Sequence, residues 1–303
     1  MTYYTFLATA SPNHSHLERF HPAGSSIVVF FQKTTYTATN EYFLGFYQLQ
    51  GGFDMQALAS DFDGTLFFAD QEGFFFDEDL AGIATFQEKG NLFGICTGRP
   101  INPILSETEG KIDFDFYVLS NGARVLDKEK NIVFQKLLPK SVVRDMYEKY
   151  HSVGQMFFHS AKEIYSISGD PKGFKASVKP LENTDDLDTM DIFCCAIVLD
   201  SVEKATALCK HLEGSSSLFS VYQNAHALDI IPFGCSKGDG IQIVKEHYHI
   251  RTMAGIGDSF NDIPLLDNAD VGFTFYNSDE RVRSHADYLV NRLAESIAIM
   301  EQQ

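Results

Sequence analysis

The stretch DFDGT at residues 61–65, preceded by MQALAS at residues 55–60, is the most informative part of this chain. A largely apolar run that enters an Asp-Gly turn predicts a strand ending at the sheet edge where open α/β sheets bind ligands. Residues two apart in an extended segment point the same way, so Asp61 and Asp63 can face one substrate. One carboxylate can then attack as a nucleophile while the other transfers a proton. Taken alone, the motif is equally typical of an acidic turn that leaves a strand.

Three later stretches add further groups suited to phosphoryl chemistry. The apolar segment at residues 92–96 leads into Thr97-Gly98-Arg99, where a hydroxyl and backbone amides can donate to phosphoryl oxygens. Lys237 offers a compact cation just before an amphipathic pattern at residues 241–248. The sequence GDSFND at residues 257–262 follows another apolar run and contains two more carboxylates, which are hard oxygen ligands of the kind Mg²⁺ prefers.

Each of these stretches also has a purely structural interpretation. The first is typical of a plain turn, the lysine of a solvated helix start, and the last of an N-cap with acids in the first helical turn. The four stretches nevertheless occur in order, and each supplies a different part of what phosphoryl transfer needs. Together they favour a phosphoryl-transfer site over four unrelated turns.

The four ordered motifs resemble those of the haloacid dehalogenase superfamily. The long insert between the second and third motifs resembles the Cof-like sugar-phosphatase subgroup, as do SNGA at residues 120–123 and LDIIP at residues 228–232. The resemblance runs from about residue 55 to the C-terminus. It implies an α/β fold with a doubly wound, parallel-sheet (Rossmann-like) core and an inserted α+β cap domain.

The resemblance also implies a function and a set of site residues. The function is a Mg²⁺-dependent phosphatase that hydrolyses small phosphorylated metabolites, such as sugar phosphates, through a phospho-aspartate. The implied catalytic residues are Asp61, Asp63, Thr97 and Lys237; the implied substrate-binding residues are Gly64, Thr65, Gly98, Arg99, Asn121 and Asn261; the implied Mg²⁺ ligands are Asp61, Asp63 through its carbonyl, Asp258 and Asp262. Possible lid contacts from the insert are Phe157, His159, Tyr165, Lys172 and Lys175.

Two other functions stay open at this point. A phosphomutase would use the same phospho-aspartate but return the phosphoryl group to a rotated sugar. A non-catalytic sensor of a phosphorylated ligand would keep the fold without turnover. The presence of both Asp61 and Asp63 argues against a sensor, which has no need of a nucleophile and an acid together.

Composition narrows the function classes further. The 303-residue chain carries a net charge of −17, which argues against binding to nucleic acid or an anionic membrane. Five cysteines without regular spacing suggest free thiols in a reducing, cytoplasmic compartment. No apolar run reaches the length of a membrane span, and a signal peptide is not expected. Nothing in the sequence predicts the oligomeric state.

The alternation of apolar runs predicts the domain organisation. Strand–helix–strand patterns follow the first motif, with a helix over residues 77–89 and strands over 92–96 and 116–120. A hairpin is expected at 124–135, and mixed helices and strands then suggest an antiparallel sheet with helices on one face. We therefore predict a core over residues 55–125 and 226–303, resuming with a strand at 228–231, and a cap over residues 126–225 that selects the substrate.

Residues 1–54 differ in composition from the rest, with twelve aromatic residues and only five charged ones. Short strands are predicted at residues 26–32 and 42–49, and His14, His16 and His21 are interpreted as loop residues because they lack further ligands at metal-binding spacing. One hypothesis is that QGGFDM at residues 50–55 reflects translation of a ribosome-binding stretch and the start codon after it, so that the natural protein begins at Met55. The alternative is an extension that packs on a partner or on the core.

Overall fold

The computed structural model describes residues 18–20, 27–29, 55–69, 73–167 and 178–302. The chain forms two compact units, Met1–Phe53 and Asp54–Gln303. In the first unit, β1 (Glu18–Phe20) pairs antiparallel with β2 (Ile27–Val29), which falls within the strand predicted at residues 26–32. The strand predicted at residues 42–49 and the three histidines lie outside the described residues.

The second unit alternates strands and helices along the chain. Its strands are β3 (Gln56–Ser60), β4 (Leu92–Cys96), β5 (Phe116–Leu119), β6 (Arg124–Asp127), β7 (Ile132–Gln135), β8 (Gln155–His159), β9 (Ile164–Ser166), β10 (Val178–Pro180), β11 (Cys194–Val198), β12 (Phe219–Asn224), β13 (Ala227–Pro232), β14 (Thr252–Ile256), β15 (Val271–Phe275) and β16 (Tyr288–Val290). Its helices are α1 (Asp77–Glu88), α2 (Ile101–Thr108), α3 (Lys140–Tyr150), α4 (Asp186–Thr189), α5 (Val202–Leu212), α6 (Lys237–Tyr248), α7 (Ile263–Asn268), α8 (Glu280–Arg283) and α9 (Leu293–Met300).

Eight of these strands form one sheet in the order β16-β15-β14-β3-β4-β5-β6-β7. The pairs from β16 to β5 are parallel, and β6 and β7 continue the edge antiparallel. Strands β14, β3 and β4 are neighbours, so the motifs that follow them emerge at the same edge of the sheet. The predicted α/β fold with a parallel-sheet core is confirmed.

Both faces of this sheet are buried, which explains the nearly unbroken apolar runs of its strands. On β3, Leu58 packs in a cluster with residues of α1 and α9, whereas Ala57 and Ala59 pack in a second cluster with residues of α6 and α7. Successive strand residues point to opposite faces, so one short segment holds helices on both sides. This packing fixes the end of β3, where the first motif begins.

The remaining six strands of the second unit form a smaller sheet in the order β10-β9-β8-β11-β13-β12. All its pairs are antiparallel except β10 with β9, and residues of α3 and α5 pack in one cluster with its apolar side chains. This mixed sheet has the α+β character expected of the cap. We call it the cap sheet, and the eight-stranded sheet the core sheet.

Two segments lie in a different sheet from the one predicted. The hairpin of β6 and β7 forms as expected, but it extends the core sheet because β6 pairs along the whole of β5. The strand predicted to resume the core at residues 228–231 is β13, an interior strand of the cap sheet that pairs with both β11 and β12. The chain therefore leaves the core sheet after Gln135 and leaves the cap sheet after Pro232, later in both cases than the bounds 125/126 and 225/226.

Gly122 shows how tightly the core sheet is joined to the helix that carries Lys237. It has φ +87°, and a Cβ there would collide with the backbone of Ser236, the N-cap residue of α6. Gly90 has a similar φ of +86°, but a Cβ there would meet nothing within 4 Å. The two glycines therefore separate the cost of the backbone conformation from the cost of the collision.

We predict that Gly122→Ala lowers the free energy of unfolding by about 2–4 kcal/mol, because the positive φ and the overpacking both destabilise the folded state. Gly90→Ala serves as the matched control and should lose only the smaller, conformational part, about 1 kcal/mol. Urea unfolding of both variants measures the difference. Equal losses would show that the close approach of Gly122 to Ser236 does not constrain the fold.

Candidate active site

The central feature of the site is a buried lysine held between two carboxylates. Lys237 Nζ lies 2.5 Å from Asp61 Oδ1 and 2.5 Å from Asp262 Oδ1. Lys237 is the first residue of α6, and the Ser236 side chain fixes that helix start by accepting a hydrogen bond from the Asp239 N–H at 3.0 Å. Asp61 directly follows β3, so the ion pair joins the central strand to α6.

Burial and charge shift the pKa values of these groups strongly. Burial, followed by the nearby charge of Asp262, raises the pKa of Asp61 well above its usual value, and Lys237 only partly offsets this. Burial lowers the pKa of Lys237, but the carboxylates of Asp262 and Asp61 outweigh it and raise that pKa overall. Lys237 is therefore charged, and it is the cation that keeps an ionised Asp61 tolerable in a buried position.

Asp258 completes a cluster of three acids with Asp61 and Asp262. One carboxylate oxygen from each lies within 4.8 Å of the others. The Asp262 carboxylate accepts hydrogen bonds from the backbone N–H groups of Asp258 at 3.0 Å and Ser259 at 2.9 Å, and Thr65 donates to Asp258 Oδ1 at 2.8 Å. Burial, then Asp262, raises the pKa of Asp258 to about 7. The three side chains are thus fixed in place with more negative charge than Lys237 alone can balance.

This cluster fits a hard divalent cation. Its donors are carboxylate oxygens, and a bound cation would offset both the burial and the neighbouring negative charge that raise the pKa values of Asp61 and Asp258. Gly64 faces the cluster, since a Cβ at that position would lie 2.9 Å from Asp258 Oδ2. The absence of a side chain there keeps the space beside Asp258 open.

Asp63 turns away from this cluster towards Arg99. Arg99 Nε donates to Asp63 Oδ2 at 2.7 Å, and Arg99 Nη2 donates to Asp63 Oδ1. The other side of the guanidinium, Nη1, binds both carboxylate oxygens of Glu107 at 3.0 Å. Burial lowers the pKa of Arg99, but Asp63 and then Glu107 raise it overall, so the guanidinium is charged.

A network of hydrogen-bonded side chains lies next to the Thr97-Gly98-Arg99 turn. Asn121 Nδ2 donates to Asp229 Oδ2 at 2.7 Å, and Asn261 Nδ2 donates to Asn121 Oδ1 at 3.2 Å. Gly98 borders this network, because a Cβ there would lie 3.2 Å from Asn121 Nδ2 and from Asp229 Oδ2. Asp229 belongs to β13, so the network joins the cap sheet to the loops at the end of the core sheet.

Other cap residues also contact the loops around the site. His159 Nδ1 lies 3.1 Å from the carbonyl oxygen of Gly98, and burial lowers the pKa of His159 to about 4. Ser259 Oγ donates to Asn224 Oδ1 at 3.1 Å. The cap therefore contacts the loops after both β4 and β14, and the imidazole is neutral where it meets the core.

The comparisons with known proteins follow this geometry. The family model for haloacid dehalogenase-like hydrolases matches residues 58–300. This chain belongs to that family. The 5-amino-6-(5-phospho-D-ribitylamino)uracil phosphatase of Bacillus subtilis is 25% identical over 240 residues, which cover 78% of this chain and 90% of the relative.

Solved structures of haloacid dehalogenase-like proteins have the same fold. One from B. subtilis has a TM-score of 0.72 at 19% identity and covers 82% of this chain and 99% of its own. A sugar phosphatase of subclass IIB has a TM-score of 0.69 at 21% identity and covers 82% of this chain and 98% of its own. At these identities the likeness shows the fold alone.

Most of the residues expected from the motifs converge in this member of the family. Asp61, Lys237, Asp258 and Asp262 form the buried centre, and Gly64 borders it. Thr65 is buried and donates to Asp258, and its expected contact with substrate stays a prediction. The Asp63 carboxylate lies outside the cluster, so its expected metal contact rests on the backbone carbonyl.

The residues of the Thr97-Gly98-Arg99 turn and the suggested lid contacts do not gather in one place as the carboxylate cluster does. Thr97 is buried, and its Oγ1 accepts from the Arg99 N–H at 3.2 Å. Arg99, expected to bind substrate, is occupied by Asp63 and Glu107. Among the suggested lid contacts, His159 meets the core, Phe157 and Tyr165 pack within the cap, and Lys172 and Lys175 lie outside the described residues.

Sequence reasoning gave no role to Glu107 or to Asp229. Glu107 lies in the last turn of α2 with no motif around it, and only the fold brings it to Arg99. Asp229 did carry a signal, because it is an acid within the otherwise apolar run LDIIP at residues 228–232. A carboxylate inside an interior strand needs a buried partner, which the structure supplies as Asn121.

We predict that Lys237→Met lowers the free energy of unfolding by about 3–5 kcal/mol at neutral pH in the presence of a chelator, because it leaves two buried carboxylates without their cation. The loss should shrink as the pH falls. A carboxyl whose pKa is higher in the folded protein than in the unfolded chain destabilises the fold increasingly as pH rises, and removing Lys237 raises the folded pKa of Asp61 further.

Lys245→Met on the same helix is the matched control, since it removes a more exposed ion pair with Asp270. Such pairs contribute roughly 0–1 kcal/mol. Denaturant unfolding at pH 5 and at pH 7.5 measures both variants. A loss for Lys237→Met that is as small as the control, or that grows as pH falls, would contradict the assignment of Lys237 as the counter-ion of Asp61.

Proposed function

We propose that this protein is a Mg²⁺-dependent phosphatase that hydrolyses small phosphorylated metabolites through a phospho-aspartate at Asp61. The observation that carries the proposal is the position of Asp61 at the end of the central strand, paired with the buried Lys237 beside a cluster of acids. The family is a hydrolase family, and the B. subtilis relative is named as a phosphatase of a phosphorylated ribitylamino-uracil.

In the first half of the reaction, an oxygen of the Asp61 carboxylate attacks phosphorus and the bond from phosphorus to the leaving alkoxide breaks. Asp63 gives its proton to that alkoxide, so the substrate departs as an alcohol. In the second half, Asp63 removes a proton from water, the water oxygen attacks phosphorus, and the bond to Asp61 breaks. One carboxylate serves both halves because its protonation state alternates.

Lys237 supports both halves by neutralising negative charge on Asp61 and on the phosphoryl group. It is already oriented by two hydrogen bonds, so no reorganisation is needed as charge moves. Thr97 and the backbone amides around Asp63 and Gly64 would hold the oxygens of the phosphoryl group, and the Gly64 N–H would first have to leave the Phe67 carbonyl oxygen, to which it donates at 2.9 Å. These roles extend the family resemblance to this chain residue by residue.

Mg²⁺ would be held by the carboxylates of Asp61 and Asp258, the carbonyl of Asp63, and Asp262 directly or through water. When bound, it supplies positive charge that lets an anionic nucleophile meet an anionic phosphate. The Asp262 carboxylate also orients its neighbours, because it accepts hydrogen bonds from Lys237 and from two backbone N–H groups.

We propose that the cap selects the substrate. Its contacts with the loops bearing Gly98 and Ser259 support this proposal, because a cap that closes over the end of the core sheet suits a small phosphorylated molecule. The net charge of −17 makes a nucleic acid an unfavourable substrate. The five cysteines are free thiols, which favours the cytoplasm, and no helix in the described parts of the chain has the length and hydropathy to cross a membrane.

A panel of phosphorylated metabolites tests the proposal. Wild-type protein should release inorganic phosphate with Mg²⁺ and not with a chelator, and Asp61→Asn should lose turnover by several orders of magnitude while it keeps its fold. Chromatography of the products separates a phosphatase from a phosphomutase, which would return an isomeric phosphate ester. Activity of Asp61→Asn near the wild-type level would reject Asp61 as the nucleophile.

Metal binding can be checked without activity. The ionised Asp258 carboxylate destabilises the folded protein when no cation is bound beside it. The reason is that the pKa of Asp258 in the folded protein, about 7, lies above its ordinary value of 3.8. We predict that Asp258→Asn raises the melting temperature at pH 8 in chelator, and that Mg²⁺ then stabilises the variant much less than the wild type.

Asp287→Asn is a control outside the cluster and should leave the Mg²⁺ response unchanged. Melting curves with and without Mg²⁺ measure all three proteins. An Asp258→Asn protein that gains as much stability from Mg²⁺ as the wild type would remove Asp258 from the metal site.

A further inference from the structure

We propose that Arg99 and Glu107 are positioning residues that orient Asp63 for proton transfer. This inference rests on the proposed phosphatase function. We call the three side chains the acid clamp. The sequence motifs give Glu107 no role, and they predict that Arg99 binds substrate. The geometry gives both of them a different task.

Arg99 has few hydrogen-bond donors left for a substrate. A guanidinium has five N–H donors, and in Arg99 one side is bound to both oxygens of Asp63 while Nη1 is bound to both oxygens of Glu107. Arg99 is 9% exposed. These contacts leave at least one N–H, on Nη2, but a bidentate contact with a phosphate would require Arg99 to release one of its two carboxylates, so it is poorly suited to hold the substrate.

Two aromatic rings also hold the Arg99 guanidinium in place. The Arg99 guanidinium carbon lies 5.0 Å from the ring centroid of Phe62 and 5.8 Å from that of Phe67, and these two rings stack at 4.9 Å. Phe62 stands between the two aspartates of the first motif. The guanidinium is therefore fixed by the aromatic rings as well as by its carboxylates, and its orientation is coupled to the same turn that carries Asp61 and Asp63.

Asp63 is exposed enough to need a partner that holds its side chain. Its side chain is 43% exposed, whereas that of Glu107 is 21% exposed. A half-exposed aspartate with no partner would sample several rotamers, and few of them would reach the leaving group. Arg99 restricts Asp63 to one orientation, and Glu107, on the last turn of α2, holds Arg99 from behind.

The clamp assigns a specific kinetic signature to these residues. Proton donation matters for an alkyl phosphate, whose alkoxide is a poor leaving group. It matters little for 4-nitrophenyl phosphate, whose phenolate leaves without a proton. A residue that positions Asp63 therefore affects kcat for the alkyl ester much more than for the aryl ester. A residue that binds the phosphoryl group, or that only supports the fold, affects both esters alike.

The experiment compares Glu107→Gln and Arg99→Lys with the wild type on an alkyl phosphate and on 4-nitrophenyl phosphate, both in saturating Mg²⁺. We expect kcat for the alkyl ester to fall on the order of tenfold for Glu107→Gln and up to about a hundredfold for Arg99→Lys, with little change for the aryl ester or in KM. Glu109→Gln, an exposed glutamate two residues beyond Glu107, is the matched control. Circular dichroism and melting curves confirm that each variant is folded.

A double-mutant cycle separates positioning from other roles. In an Asp63→Asn background the acid is already lost, so Glu107→Gln should cause no further selective loss on the alkyl ester. Equal losses on both esters, a rise in KM with unchanged kcat, or a selective loss that persists without Asp63 would overturn the acid clamp. If the wild type released phosphate from neither ester, the proposed function itself would be rejected.

Discussion

The buried ion pair between Lys237 and Asp61 is the interaction on which the rest of this structure depends. An ammonium group that is almost fully buried is costly unless it is paired and hydrogen-bonded. Here it lies between Asp61 and Asp262, which come from loops after two neighbouring parallel strands. The buried charge of Lys237 is therefore tolerated only when three elements are correctly placed relative to one another: the core sheet, the start of α6 and the loop after β14.

The proposed function requires a strongly acidic protein to bind an anion, and the buried cations near the end of β3 supply only part of the positive charge that this requires. The overall charge of −17 is unfavourable for a phosphate ester at long range, but two buried or nearly buried cations lie close to the end of β3. Each is paired with carboxylates: Lys237 with Asp61 and Asp262, and Arg99 with Asp63 and Glu107. The two aspartates of the first motif thus receive different environments, one within the acid cluster and one at its half-exposed margin, which suits a nucleophile and an acid–base group.

Much of the fold and the centre of the site could be predicted from the sequence because their signals are local. The core-sheet strands are short apolar runs that end in turn residues, and β4 forms with the bounds expected. The motif carboxylates follow strands directly, so the parallel topology alone brings Asp61 near Asp258. The sequence also predicted a helix just after Lys237, and the structure starts α6 at Lys237 itself, with Ser236 as its N-cap.

The remaining features depend on contacts between distant parts of the chain. The sequence predicts β13 to be a core strand because it is apolar and precedes Lys237. Its pairing with β11 and β12 instead makes it part of the cap sheet. Arg99 carries a charge that suits a phosphate, and nothing local shows that Glu107, eight positions later on α2, competes for it. The link between Asn121 and Asp229 joins residues 108 positions apart. Such contacts follow from packing, which periodicity does not encode.

The central claim is that Asp61 becomes phosphorylated during turnover. Quenching the wild-type protein in acid during steady-state turnover of a reactive phosphate ester, reducing the acyl phosphate with borohydride, and sequencing the peptides by mass spectrometry tests it most directly. We predict conversion of residue 61 to homoserine, only in samples that contained both substrate and Mg²⁺. Modification of a different residue, or a quench at full turnover that leaves Asp61 unmodified while the acyl phosphate is recovered elsewhere, would contradict the account.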